Sequence, residues 1–304
     1  LTDRPDVNNG EGYTDVPPNL NGSNVNFVSI GWRSNPRPTI TNEFRAGFNF
    51  NKPYFDTRQE TQNFFTAGLF YSSPVGTFLP QGRNVYTYNF NNNTAWIKNK
   101  HTIQFGINYM PQKVQPYNFA GTVPTYTLGI GAGQTGLTSG SLAGISAAEF
   151  NRANNLLANL AGLLSNARQT FNVTSRDSGF VAGAEDRRKY TLDTWALYAT
   201  DAWRVNSRLT VNYGVRWEYL SVFDEENALA LLPRLNNGNY IETLFSNGTL
   251  DFAGKAVDRP FYSPDRNNFA PNVGLAWNVR GDGKTAVRVG YSMNFVQDAQ
   301  ATAI

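Results

Sequence analysis

The sequence predicts an all-β chain that forms part of an antiparallel transmembrane β-barrel, with about 8–10 strands of a larger barrel present. Three observations predict this class: long tracts alternate apolar and polar residues with a period of two, the tracts come in pairs, and the connections between pairs are long. A strand that crosses a bilayer obliquely needs about nine to eleven residues, whereas strands of soluble sheets typically have about five or six.

The clearest pair is a hairpin over residues 194–219. One face of its second arm is apolar and consists of Leu209, Val211, Tyr213, Val215, Trp217 and Tyr219. The first arm alternates in the same way, and Asn206 and Ser207 form a tight polar turn between the arms. Aromatic residues lie toward the ends of the apolar face, which is where a membrane–water interface favours them. Taken alone, this hairpin fits a soluble β-sandwich equally well.

Three further hairpins follow from the same pattern, over residues 27–50, 85–110 and 272–295. The first 26 residues are rich in Asn, Gly, Pro and Asp and are predicted to form an irregular loop. Residues 63–71 fit either a short strand or a loop packed on its own side chains, and residues 168–173 add a further strand.

The connections are unequal in length. Short turns fall near residues 36, 99, 206 and 282, whereas residues 51–83, 111–190 and 222–267 form long loops. Short turns at one rim and long loops at the other are typical of outer-membrane barrels, whose long loops are extracellular. In a compact soluble domain such loops would count against the strand assignment.

One short loop helix is predicted near residues 146–165. Ser146 and Glu149 have the spacing of a capping box. A stripe of leucines follows at helical spacing and is interpreted as packing rather than as a ligand contact: Leu156, Leu157, Leu160, Leu163 and Leu164.

Composition excludes several classes. Of the 304 residues 16% are charged and 14% aromatic, and no apolar run is long enough for a transmembrane helix. Cysteine is absent, so disulfide scaffolds and thiolate metal sites are excluded. The net charge of +3 is spread along the chain, which argues against a nucleic-acid partner.

Catalysis and cofactors are not expected. The single histidine, His101, follows a tight turn and is interpreted as a rim residue rather than a general base. With one histidine and no cysteine, no zinc or iron site and no other cofactor is predicted, and the chain is not expected to be an enzyme. The acidic run at residues 224–226 is interpreted as a solvated loop rather than a calcium site. The glycine-rich residues 129–136 are interpreted as a flexible loop rather than a phosphate-binding loop.

The candidate binding residues are those assigned to the barrel interior. By parity with the apolar face, the lumen-facing candidates are Glu43, Arg45, Gln104, Asn108, Asn212, Arg216, Glu218 and Arg288. Polar groups are required on a wet interior wall, so a plug or ligand contact is expected for only some of them. By alternation Asp201 falls on the same face as Trp195, Leu197 and Trp203, although it is charged. This predicts either a β-bulge or a position at the membrane rim.

The hairpins resemble those of the TonB-dependent outer-membrane receptors, most closely the Oar-like group with a carboxypeptidase-regulatory-like domain. The resemblance rests on four tracts that cover little more than a quarter of the chain: ITNEFRAGFNF, NNNTAWIKNKHTIQFGINY, ALYATDAWRVNSRLTVNYGVRWEY and NNFAPNVGLAWNVRGDGKTAVRVGYSMNF. It implies a plugged barrel of about 22 strands in the cell outer membrane. No plug, TonB box, regulatory-like domain or terminal aromatic strand is recognised in residues 1–304, so we expect them to be a middle portion of one barrel domain.

The resemblance also implies the partners. They are outer-membrane lipid, the TonB complex through a segment outside these residues, and a scarce imported ligand. That ligand is an oligosaccharide, a peptide or a metal chelate, and the sequence does not distinguish these. The alternative is a structural or adhesive surface protein that acts through its long loops; a soluble β-rich sugar-binding module is a more distant alternative.

Overall fold

One long antiparallel sheet runs through most of the chain. The computed structural model describes residues 6–8, 19–57, 62–69, 77–138, 140–235, 238–246 and 248–295. Its strands in chain order are β1 (Asp6–Asn8), β2 (Asn19–Arg37), β3 (Ile40–Thr57), β4 (Phe65–Ala67), β5 (Gln81–Lys98), β6 (His101–Asn118), β7 (Thr125–Leu128), β8 (Leu164–Arg168), β9 (Phe171–Asn172), β10 (Val181–Ala182), β11 (Asp186–Arg187), β12 (Tyr190–Arg204), β13 (Leu209–Leu220), β14 (Asp224–Glu225), β15 (Ala230–Pro233), β16 (Leu250–Ala253), β17 (Asn268–Asn278) and β18 (Ala286–Ser292). The helices are α1 (Ala147–Ala161), α2 (Tyr240–Leu244) and the 3-10 turn Lys255–Val257.

The long strands pair in chain order, which is the up-and-down arrangement predicted from the hairpins. The path through the sheet is β1-β2-β3-β5-β6-β12-β13-β17-β18, and every pairing along it is antiparallel. The short strands β11 and β14 add to β6 and β12. The all-β antiparallel class is therefore confirmed, and the sheet is open at both edges within the described residues.

Several boundaries differ from the predicted ones. β2 begins at Asn19, inside the stretch predicted to be a loop, because its polar residues pair along the extended end of β3 as far as Thr57. Residues 63–71 contain the short strand β4, and the end of that tract lies outside the described residues. The strand predicted over residues 168–173 is divided between the end of β8 and β9.

The two faces of the sheet differ in chemistry. Cross-strand partners share a face, so the register extends the period-two pattern over the whole sheet. On the apolar face large side chains are exposed, including Ile30 (65%), Trp32 (63%) and Val289 (66%). A continuous exposed surface of this kind is rare on a soluble monomer and fits contact with lipid. No interior of a compact soluble body covers these residues.

The short turns step steadily along the sheet. We call the end of the sheet that carries the turns at residues 38–39, 99–100, 205–208 and 279–285 the short-turn rim, and the opposite end the long-loop rim. Ile40 pairs with Trp96, and β5 then continues to Lys98; His101 pairs with Trp203, and β12 then continues to Arg204. A stagger in one direction is the geometry of strands tilted against a barrel axis.

Aromatic residues mark both borders of the apolar face. One tryptophan precedes each of the last three short turns: Trp96, Trp203 and Trp277. Tyr86 and Tyr109 lie toward the long-loop rim on neighbouring strands. From Tyr86 to Trp96 is ten residues (96 − 86) along β5. That is roughly 33 Å of strand, or about 25 Å of height at a tilt of about 40°, the thickness of the apolar band of transmembrane barrels.

The described parts of the long connections are folded rather than irregular. In residues 62–173, β4, β7 and β8 form a small sheet, and Phe65, Leu79 and Val123 form a buried cluster with Phe119 packed against it. Helix α1 confirms the predicted loop helix. Its leucine stripe is packed only in part, since Leu157 and Leu163 are half-buried whereas Leu160 is 81% exposed. Among the described residues no helix is long and apolar enough to cross a membrane.

The capping box of α1 gives a testable prediction. The Ser146 hydroxyl accepts a hydrogen bond from the Glu149 N–H, and the Glu149 carboxylate accepts one from the Ser146 N–H. We expect Ser146→Ala to destabilise this helix by about 1 kcal/mol. Native-state hydrogen exchange of the α1 amides measures the change, and Ser141→Ala outside the helix is the control.

The same pair predicts a pH dependence. The hydrogen bonds from Ser146, the backbone N–H first, hold the pKa of Glu149 below its ordinary value. Their stabilisation is therefore present above the ordinary pKa of a glutamate and is lost as the pH falls through the lowered pKa of the folded state. Unchanged protection of the α1 amides on acidification would contradict this prediction.

Candidate functional site

The polar face of the sheet is the candidate functional surface. Its side chains are brought together by the register and not by sequence proximity. The predicted interior residues all lie on it: Glu43 and Arg45 on β3, Gln104 and Asn108 on β6, Asn212, Arg216 and Glu218 on β13, and Arg288 on β18. The register therefore places all eight on one face of the sheet, while their position on a lumen wall and a role in binding stay predictions.

The charged members of this set form local pairs. The Arg45 Nε lies 2.6 Å from a Glu43 carboxylate oxygen, two residues away on the same strand. The Arg216 Nε lies 2.5 Å from a Glu218 carboxylate oxygen in the same relation. Pairs of this kind cancel each other's charge, and when partly exposed they contribute little to stability. Arg288 lies apart from both pairs, on the last described strand.

The central part of the polar face carries no charged side chain apart from Arg216 and Glu218. This follows from the register over residues 85–97 of β5, 102–116 of β6, 192–202 of β12, 210–218 of β13 and 268–278 of β17. Within these described ranges the polar groups on this face are amides and hydroxyls. Charge returns on this face toward the short-turn rim, where Arg204 pairs with Thr210 and Arg288 pairs with Ala276.

A network of amides that the sequence reasoning did not single out crosses this region. The Asn108 side-chain N–H donates to Asn91 Oδ1 at 2.5 Å, and Asn91 in turn donates to Asn89. The Tyr198 hydroxyl donates to Asn93 Oδ1 at 2.8 Å. The asparagines at odd positions of β5 were a signal for this network, because they continue the period of two on the face opposite the aromatic residues.

Tyr198 lies over a glycine on the next strand. A Cβ atom added to Gly106 would lie 2.7 Å from a Tyr198 ring carbon and 2.7 Å from Asn93 Oδ1. Only a residue without a side chain permits this approach. The ring is therefore held flat against the wall, with its hydroxyl fixed by Asn93.

Next to Tyr198 lies a shallow depression of about 420 Å³. We call it the amide trough, and define it by the exposed side chains of Gln104, Asn212 and Asn272 around a floor of Ala202 and Gly274. In the described part of the chain these three amides make no side-chain hydrogen bond within the protein. They therefore present free donors and acceptors. Of the predicted residues, the structure brings Gln104 and Asn212 together here, and Asn272 was missed.

Asp201 lies on the apolar face without a bulge. It pairs with Tyr213 and Ile103 in continuous register, so the predicted bulge is wrong and the alternative of a rim position, two residues from Trp203, is the one that fits. One carboxylate oxygen accepts a 2.8 Å hydrogen bond from the Tyr213 hydroxyl and lies 2.6 Å from His101 Nδ1. Partners of this kind lower the cost of placing a carboxylate on an apolar surface.

The interpretation of the acidic run at residues 224–226 as a solvated loop is wrong for Glu225, while Glu226 is exposed. Glu225 is fully buried, and its two carboxylate oxygens accept hydrogen bonds from the N–H groups of Lys189 (3.0 Å) and Leu229 (2.5 Å). Asp224 accepts from the Lys255 N–H at 2.6 Å. Through Lys189, which directly precedes β12, the Glu225 carboxylate holds the long connection against the start of that strand. The Asp224 carboxylate holds two parts of the connection together.

A larger cleft of about 560 Å³ lies at the long-loop rim. Trp195 and Tyr219 of the apolar face form part of its wall, and Arg266 of the long connection lies over the Tyr219 ring at 5.5 Å. The Trp217 indole N–H donates to the Arg266 carbonyl at 2.8 Å. The cleft is therefore the place where the connection folds back onto the aromatic border. Among the described residues no three His, Asp or Glu side chains are grouped to hold a metal ion.

Comparison with known proteins gives one family match. A family model described as an outer membrane beta barrel domain matches residues 2–303. No curated protein sequence matches the chain.

Similar solved structures are the outer membrane transporter YddB from Escherichia coli (11% identity, TM-score 0.45, 91% of this chain and 26% of that one) and the ferric-catecholate import receptor Fiu from E. coli K12 in its open form (12% identity, TM-score 0.41, 92% and 36%). The chain thus spans about a quarter to a third of the length of these structures.

Proposed function

The chain belongs to the family of outer membrane β-barrel domains, and from that premise we propose that it is part of the wall of a TonB-dependent receptor that imports a scarce ligand. The observation that carries the proposal is the uninterrupted polar face opposite the apolar one, because it supplies a wet wall across the thickness of the membrane. The sequence tracts that resemble the TonB-dependent receptors support the same proposal.

In this proposal the chain is one portion of a single barrel domain, and the plug is contributed by other residues of the full-length protein. The chain's own part is to surround the pathway and to offer the ligand a surface. No catalytic step is assigned to it. The energy for uptake comes from the TonB complex through a segment outside residues 1–304.

Capture by TonB tests the proposal. Full-length protein extracted from outer membranes is mixed with the immobilised periplasmic domain of TonB. We expect specific retention, and an unrelated outer-membrane porin is the control that is not retained. Failure of the full-length protein to bind TonB, both in this assay and by crosslinking in cells, would contradict energy-coupled uptake.

A second candidate function rests on the loop surfaces. Apolar side chains are exposed on the folded connections, including Leu160 (81%), Phe180 (60%) and Phe245 (90%). Exposed apolar groups on loops fit contact with another macromolecule. Surface attachment that is lost when residues 129–165 are deleted, in a protein that does not bind TonB, would favour the adhesive role.

A further inference from the structure

We infer that Lys98 and His101 bind the phosphate of an anionic phospholipid headgroup at the short-turn rim, on the apolar face of the sheet. The inference goes beyond the proposed function, because it concerns the lipid around the barrel and not the imported ligand. It depends on three features: the place of the two side chains at the aromatic border, the carboxylate that positions the imidazole, and the unpaired positive charge of the short turns.

The two basic side chains start side by side at the edge of the apolar face. Lys98 pairs with His101 across the turn between β5 and β6, and His101 pairs with Trp203 on the next strand. Side chains that lie opposite each other in an antiparallel pair begin about 5 Å apart, so one phosphate group can contact both. Lys98 lies two residues beyond Trp96 on the same face, roughly 7 Å farther toward the turn. This places the pair at the level of the headgroups, just outside the apolar band.

Two indole rings hold these side chains at the border. The Lys98 ammonium lies 5.1 Å from the centre of the Trp96 ring, which is a cation–π contact. The His101 ring stacks on Trp203, with ring centres 5.6 Å apart and planes 8° apart. Lys98 is exposed, and the His101 side chain is 37% exposed. Both groups therefore remain open to a ligand at the membrane surface.

The buried carboxylate of Asp201 sets the direction of the imidazole. One of its oxygens lies 2.6 Å from His101 Nδ1 and accepts a hydrogen bond from the Tyr213 hydroxyl at 2.8 Å. Nδ1 is thereby occupied, and Nε2 is the ring atom left for another partner. With a carboxylate at Nδ1 and a phosphate oxygen at Nε2, both nitrogens have an acceptor, which is the pairing of a protonated imidazole. Asp201 then balances the imidazolium, and the Lys98 charge is left for the phosphate.

The short turns carry an excess of positive charge. Over residues 37–40, 98–101, 204–208 and 279–285 they hold one acidic residue, Asp282, and seven lysines and arginines: Arg37, Lys98, Lys100, Arg204, Arg208, Arg280 and Lys284. None of these seven forms an ion pair with another described residue. At the long-loop rim several cations are paired instead, as Lys113 is with Glu226 at 2.5 Å. Because lysines and arginines near a membrane surface attract anionic lipids, the short-turn rim is the one suited to such headgroups.

An acidic peptide segment is the competing occupant, since the charge of the turns attracts it as well. Such a segment approaches from water and can pair equally with cations on the polar side, such as Arg204. Lys98 and His101 instead lie between tryptophans on the face whose exposed apolar side chains fit contact with lipid. A ligand with acyl chains gains contact with that face in addition to its phosphate contacts. The observations therefore favour the phospholipid.

Native mass spectrometry of the purified full-length protein in a neutral detergent tests the inference. We expect the first dioctanoylphosphatidylglycerol to bind more tightly than the first dioctanoylphosphatidylcholine, because the choline group cancels the charge of the phosphate. The double variant Lys98→Ala and His101→Ala should weaken binding of phosphatidylglycerol about tenfold, since one cation and one hydrogen-bond donor are lost. Lys98→Arg keeps the charge and should keep the affinity.

Arg204→Ala is the matched control. It removes an exposed cation from the same rim, one residue after Trp203 and therefore on the opposite face, and should leave lipid binding unchanged. Loss of binding in this variant would place the anion on the polar face and overturn the inference. Equal binding of the two lipids, or full affinity of the double variant in its folded, heat-modifiable form, would also overturn it.

Competition separates the lipid from other anions. Inorganic phosphate and hexaglutamate, each at the concentration of the lipid, should not displace phosphatidylglycerol. Displacement by either one would assign the two side chains to a free anion or to an acidic peptide and would overturn the inference. The measurement uses no TonB, so lipid binding without TonB capture keeps this inference and removes the proposed uptake, and the reverse result does the opposite.

Discussion

Val215→Arg is expected to destabilise the barrel by about 2–4 kcal/mol, the cost of an arginine on the lipid-facing side near the middle of a transmembrane barrel. Val215 is 42% exposed on the apolar face, between Ala199 and Pro271 on the neighbouring strands. It lies near the middle of the apolar face of β13, four residues from Tyr219 and six from Leu209, the partner of Trp277. A guanidinium there has to extend along the strand to reach water. Unfolding of the full-length protein by urea in lipid vesicles measures the loss of free energy.

The matched control is Asn212→Arg on the same strand. Asn212 lies on the polar face and is exposed. An arginine there is expected to change the free energy of unfolding by no more than about 0.5 kcal/mol, since surface substitutions in water usually have effects of this size. Equal costs at the two positions would show that the faces do not meet different solvents.

Glu225→Ala is expected to release the connection that follows β13 at a local cost of about 3 kcal/mol. The substitution removes two hydrogen bonds to a charged acceptor and leaves the N–H groups of Lys189 and Leu229 without a partner in a buried place. The barrel strands should keep their stability, because Glu225 pairs only with the end of β12. Hydrogen exchange at the amides of Lys189 and Leu229 measures the local opening.

The neighbouring glutamate provides the control. Glu226 forms an ion pair with Lys113 at 2.5 Å, and the side chains of both residues are about a third exposed or more. Removing such a pair costs at most about 1 kcal/mol. Glu226→Ala should therefore leave the protection of Lys189 and Leu229 nearly unchanged. Similar opening in both variants would mean that burial of Glu225 is not what holds this connection.

The sheet was predictable because its signal is local. The apolar and polar faces of each strand can be identified from its own alternating residues, as from Leu209 to Tyr219, and short turns join the two strands of each hairpin. The extra length of β2 was not predictable in this way. Residues 19–26 are mostly polar and contain a glycine. They form a strand because their backbone N–H and C=O groups pair with those of residues 50–57 of β3.

The site was predictable in part. Parity assigned Gln104 and Asn212 to one face, but the trough they form depends on which residues of distant strands become neighbours. Asn272 joins them only through the pairing of β17 with β13. Glu225 shows the same limit, since an acidic run is normally solvated. Nothing in its local sequence reveals that the backbone N–H groups of Lys189 and Leu229 donate hydrogen bonds to its carboxylate.

The up-and-down strand order makes the long loops tolerant of insertions. Each long strand finds its partner in the preceding one, so the residues between β6 and β12 or between β13 and β17 only close a loop between ends that are already neighbours. Closure entropy grows slowly, by about 0.6 kcal/mol for each doubling of loop length. Insertions at residues 119–189 or 221–267 can therefore accumulate at little thermodynamic cost, and the surface formed by the long loops is free to diversify while the sheet keeps its register.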